Sequence, residues 1–163
     1  MASGTASTAK GFEAVASLYG QHAQASGKFA AVGDAQTSVL TLRGTSTTND
    51  IWAYVYLNGS SSQISVADET AKAVTVTLTG RQDTGATHYM ARRMLIVERT
   101  GGTCALSGEV QTIGTDIGAD FTVNISANNT AKSMDIIVKT TTGGDINVRW
   151  VARVEMVEVG YAD

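Results

Sequence analysis

From residue 34 onward, apolar and polar positions alternate with a period of two, the pattern of a strand with one buried face. Residues 36–43 alternate in this way. Residues 51–57 are dense in β-formers, with Ile51, Trp52, Tyr54, Val55 and Tyr56, and the turn pair Asn58-Gly59 closes them. Residues 63–66 form a short strand. Residues 72–81 place Val74, Val76 and Leu78 on one face and Thr75, Thr77 and Thr79 on the other, the clearest half-buried strand in the chain. Residues 88–98 are apolar on both faces at their centre, which predicts a central position in a sheet. Strands over 103–111, 120–126, 134–139 and 147–159 complete the set. Gly85, Gly101-Gly102, Asn128-Asn129 and Gly143-Gly144 supply the turns.

About nine strands separated by turn signals predict an all-β fold, an antiparallel β-sandwich or jelly roll over residues 34–163. The absence of proline fits, because proline removes a donor from a β-ladder. Residues 1–33 differ: they are rich in Ala, Ser, Gly and Gln, with few large apolar groups. Phe12, Val15, Leu18 and Tyr19 recur at spacings of three and four, which also fits a short amphipathic helix over about 11–25. The segment reads as an extended or partly helical N-terminal arm that orders on a partner, with an unordered terminus as the alternative.

Composition narrows the function. Of 163 residues, 43% are hydrophobic and only 17% charged, so Ser, Thr, Asn and Gly make up much of the polar surface. Such a surface suits a protein that packs against copies of itself. The net charge is −3 and no stretch of sequence clusters Lys and Arg, so nucleic-acid binding is not expected. The apolar runs are too short for a membrane span, and the N-terminus lacks the basic start and apolar centre of a signal peptide. Cys104, the single cysteine, reads as a core residue.

Candidate chemistry is sparse. His22 and His88 lie in different segments with no cysteine or second histidine at ligand spacing, so no metal is expected. The acids are scattered singly, and no spacing selects a catalytic carboxylate pair or a calcium loop. Nucleophile-elbow, P-loop and dinucleotide motifs are missing, and the glycine pairs read as hairpin turns. The expectation is a non-enzyme without cofactors. Trp52, Tyr54 and Tyr56 share one strand face, which suits core, subunit interface or stacking on a glycan. Arg92-Arg93 with Glu98, and Arg149 and Arg153 with Glu155 and Glu158, suggest charged ladders across neighbouring strands.

Two long motifs carry a resemblance. Gly27-Lys28-Phe29-Ala30-Ala31-Val32-Gly33-Asp34-Ala35-Gln36-Thr37-Ser38, with Arg43 following, resembles a segment that recurs in structural proteins of tailed bacteriophages. Leu57-Asn58-Gly59-Ser60 and Met90-Ala91-Arg92-Arg93 resemble two shorter motifs of the same family. The run from Arg149-Trp150-Val151-Ala152-Arg153 to Val159 resembles its closing motif, so the similarity spans residues 27–159. Family members are commonly C-terminal domains of tail fibres and tailspikes, forming trimeric tips or chaperone-like caps. Here the chain opens with methionine and a short arm, without a fibre shaft. The resemblance therefore implies a free-standing virion-surface protein, a homotrimeric capsid decoration or cement protein whose partner is the major capsid protein. Phe12, Leu18, Tyr19 and Phe29 would anchor the arm, and Arg149, Trp150 and Arg153 would serve the trimer contact or the core. A tail-fibre tip holding host glycan on Trp52, Tyr54 and Tyr56 is the alternative.

Overall fold

The computed structural model describes residues 1–83, 87–118, 120–141 and 146–161, so the turns expected at Gly85 and Gly143-Gly144 lie outside the described residues. The described chain is all-β, built as a sandwich of a large and a small sheet. Its strands are β1 (Thr8–Phe12), β2 (His22–Ser26), β3 (Ala35–Ser46), β4 (Ala53–Tyr54), β5 (Ile64–Ser65) and β6 (Thr70–Gln82). They continue with β7 (His88–Thr100), β8 (Thr103–Leu106), β9 (Gln111–Thr112), β10 (Phe121–Asn128), β11 (Ser133–Thr140) and β12 (Val148–Gly160). The eight-stranded sheet runs β1-β2-β3-β12-β6-β7-β8, with β9 also on β7; the four-stranded sheet is β10-β11-β4, with β5 also on β11.

The long strands β3, β6, β7 and β12 form the middle of the large sheet, and each presents alternate residues to the core because a strand's side chains alternate. Leu40, Leu42, Val74, Val76, Leu78, Ala152, Val154 and Met156 line its inner face. Ile64, Ile125, Met134, Ile136 and Val138 come from the small sheet, and both sets belong to one buried cluster. The hairpin between β7 and β8 turns on Gly101-Gly102 as expected, both with positive φ. Asn58 holds its turn by accepting the backbone N–H groups of Ser60, Ser61 and Ser62.

Trp150 is the largest fully buried side chain, and the sheet makes room for it by geometry. Its neighbours on the adjacent strands are Gly44 on β3 and Gly80 on β6. A Cβ at Gly80 would lie 2.4 Å from the indole ring, so the glycine is there for space. Tyr89 and Phe121 tilt against the indole at 5.4 and 5.9 Å, and its Nε1–H donates to Ser46 at 2.9 Å.

Several expectations change. No helix forms over 11–25; the segment holds β1 and β2, with β2 antiparallel to β3 and β1 parallel to β2. The buried apolar residues here are Ala14, Ala16, Ala23 and Ala25, with the polar Gln21 beside them, so β-pairing and small side chains decide the outcome, and the helical spacing of Phe12 to Tyr19 does not. The strand expected over 51–57 shrinks to β4, and 103–111 divides into β8 and β9. β7 is flanked by β6 on one side and by β8 and β9 on the other, which agrees with a central place. Its outward residues Met94 and Ile96 are nevertheless exposed, because no layer covers that face.

Candidate interaction surfaces

The feature with most functional content is the outer face of the large sheet, which the small sheet does not cover. Strand pairing arranges its outward side chains in rows. At one end lie the rows Glu155–Thr75–Met94, Val157–Ala73–Ile96 and Val159–Ala71–Glu98, across β12, β6 and β7. Val157, Val159, Met94 and Ile96 are all about half exposed, at 60, 50, 49 and 44%. Exposed apolar groups that touch in rows mark an association surface more strongly than scattered ones do. Both phases of residues 150–159 carry apolar groups, and that doubling is the sequence signal that could have pointed to this face.

At the other end of the same face the rows are Thr45–Arg149–Arg81–His88, Arg43–Val151–Thr79–Met90 and Thr41–Arg153–Thr77–Arg92. Five of the chain's seven arginines gather here from four strands. Sequence spacing hid this, because positions 43, 81, 92, 149 and 153 meet only through pairing.

The sites named from sequence divide. Phe12 and Phe29 are highly exposed and available to a partner, whereas Leu18 and Tyr19 pack against the core of this chain. Arg149 and Arg153 point outward, but Trp150 is core and reaches no partner, since strand alternation sends it inward. Trp52 and Tyr54 are two-fifths exposed beside the small sheet, and Tyr56 is half-buried. Tyr54 stacks on Tyr56 at 5.4 Å, and the Lys139 ammonium stands 5.4 Å from the Trp52 ring centre. The expected ladders across strands do not form among the described residues: Arg153 pairs with Glu155 at 3.0 Å, but along β12 itself. Arg93 instead forms a two-pronged bond with Asp116, a partner the sequence did not suggest. Glu158 faces inward to Lys72.

That inward pair belongs to a polar cleft of about 530 Å³ between the N-terminal segment and one end of the sandwich. Lys72 and Glu158, both nearly fully buried, approach to 3.4 Å; Gln36 donates to Glu158 at 3.3 Å and Lys72 to the Ser65 carbonyl at 3.3 Å. The N-terminal segment is tied in by the same kind of contact. Gln21 accepts the N–H groups of Ser17 and Leu18 and donates to Ser38, while Gln36 accepts the Val15 N–H. Asp34 accepts the N–H groups of Phe29, Ala30 and Ala31 at 2.6–2.8 Å. Burial pushes its pKa up, but those three donors and the Lys28 charge outweigh burial and hold the carboxyl below the usual aspartate range. These contacts satisfy buried polar groups and fasten residues 13–34 to the sheet.

Among the described residues no three His, Cys, Asp or Glu gather to hold a metal ion. Burial pushes the Cys104 thiol's pKa up, and its S–H points at the Ser133 carbonyl. No helix among the described residues is long and apolar enough to cross a membrane. The chain matches no protein-family model and no curated protein sequence.

Proposed function

We propose that this chain is a non-enzymatic structural protein of a tailed-bacteriophage particle, a homotrimer that decorates the virion surface and clamps the major capsid protein. The observation that carries the reading is the uncovered apolar end of the large sheet, Met94, Ile96, Val157 and Val159. The motifs over residues 27–38 and 149–159 supply the virion context. Phe12 on the edge strand β1 and Phe29 in the fastened N-terminal segment, both highly exposed, are the anchors for the capsid. In the second reading, a tail-fibre tip, the exposed rings of Trp52 and Tyr54 hold host glycan by stacking.

Light scattering on the purified protein, followed by rebinding to phage heads stripped of it, tests the proposal. A trimer that Ile96→Glu with Val157→Glu dissociates, and that decorates heads through Phe12 and Phe29, supports it. A monomer at micromolar concentration overturns the trimer. A trimer that ignores heads and adsorbs to host polysaccharide, with adsorption lost in Trp52→Ala, overturns the capsid role and selects the fibre tip.

A further inference from the structure

The arginine end of the outer face is a distinct surface from the apolar end, and its chemistry points to a different occupant. Arg149 and Arg81 stand directly opposite each other on β12 and β6, with His88 next in the row on β7. Like charges placed opposite across a ladder destabilise a sheet unless something neutralises them. Among the described residues, little does so. Arg153 has Glu155, and Arg43 donates to the Asn58 carbonyl at 3.0 Å. Arg81, Arg92 and Arg149 have no carboxylate partner among the described residues. Asp83 also borders this end, where it accepts a hydrogen bond from Asn147 at 2.9 Å. The chain as a whole is negative, so the local excess of positive charge runs against its composition.

The arrangement has a centre and a rim. Val151, 51% exposed, has Arg43 and Thr79 beside it on the neighbouring strands and Arg149 and Arg153 two positions away on its own. Thr79 leads on to the half-buried Met90. An open groove of about 530 Å³ runs along Thr79, Arg81, Asp83, Arg149 and Val151. An apolar centre ringed by arginine, with no lysine in the ring, is the anatomy of a protein interface. A surface for a nucleic-acid backbone would put its charge at the centre, whereas here Val151 and Met90 occupy the centre and the ring of Tyr56, bridged to Arg43, stands only at the border. Arginine's planar fork matches a carboxylate in two-pronged fashion. A second copy fits poorly, since among the described residues the outer face offers Glu98, Glu155 and Asp83 against five arginines, with Glu155 already on Arg153 and Asp83 on Asn147.

We infer that this arginine-ringed patch centred on Val151 is a docking site for an acidic polypeptide that presents an apolar side chain between carboxylates. The inference does not rest on the virion reading and would stand if that reading failed.

The test uses the full chain and three probes in a fluorescence-anisotropy titration: a glutamate–tyrosine copolymer, poly-glutamate, and duplex DNA. The copolymer is expected to bind tightest, and its affinity to fall with salt. Arg81→Ser and Arg149→Ser should each weaken it roughly tenfold, the loss of one charge-assisted contact. Val151→Ser should erase the preference for the copolymer over poly-glutamate while leaving the salt dependence intact. Unchanged thermal melting of these surface variants shows that folding is not what is being read. Tighter binding of DNA, equal binding of both polypeptides by the wild type, or binding indifferent to the arginines overturns the inference. So does absence of binding. Self-association lost in the arginine variants would make a second copy the occupant and overturn it too.

Discussion

Gly80→Ala adds one methyl group to the inner face of β6, where a Cβ would sit 2.4 Å from Cε3 and Cζ3 of Trp150. Carbon atoms pack best at about 3.5–4.0 Å, so the indole would have to retreat by more than about 1 Å. It has nowhere to go. Tyr89 and Phe121 lie against it, and its Nε1–H is committed to Ser46. Overpacking of this kind costs about 1–3 kcal/mol, and pulling the indole off Ser46 adds about 1 kcal/mol. Alanine recovers about 0.5–1 kcal/mol over glycine within a strand. The net expectation is a loss of about 1–3.5 kcal/mol, or roughly 2–14 °C in melting temperature for a chain of this length. Urea unfolding followed by circular dichroism measures it, and a double-mutant cycle with Trp150→Leu isolates the cause. Trp150→Leu alone is expected to cost about 3 kcal/mol, and in that background Gly80→Ala should be neutral or slightly stabilising. A Gly80→Ala protein within about 0.5 kcal/mol of wild type would refute the reasoning, as would the same cost in both backgrounds.

Three further outcomes are expected. Lys72→Met leaves the Glu158 carboxylate buried with Gln36 as its one donor among the described side chains, so it should cost about 3–5 kcal/mol. The double variant Lys72→Met with Glu158→Met should recover much of that, and chemical denaturation of the three proteins decides it. Asp34 has a folded pKa below its unfolded value, so its stabilisation is full above the ordinary aspartate pKa of about 3.9 and is lost as pH falls through the lower folded value. The amide resonances of Phe29, Ala30 and Ala31 should therefore titrate together with a midpoint below about 3.9, and a midpoint above it would contradict the proposed latch. Cys104, buried and with its thiol pKa raised, should resist an aromatic disulfide reagent in the native protein and react fully in denaturant.

Period-two alternation is a local property of the backbone, and it made the all-β class and most long strands legible. Residues 72–81 alternate so regularly that β6 follows, the β-formers over 147–159 mark β12, and Asn58-Gly59 and Gly101-Gly102 mark turns. The same locality limits the reading. Whether Met94 and Ile96 face a second layer or open space depends on which sheet lies over β7, and the alternation of β7 carries no information about that. Phe12 to Tyr19 had helical spacing, but the edge of β3 offered β2 unpaired backbone donors and acceptors, and pairing there decided the segment. Trp150 looked as suited to an interface as to the core until Gly44 and Gly80 appeared on either side of it. The arginines at 43, 81, 92, 149 and 153 are far apart in sequence, and strand register alone brings them together. The sequence by itself determined which segments would be strands and which side chains share a face. Only the tertiary structure decided which face is covered and which charges meet, because both depend on pairing between distant strands.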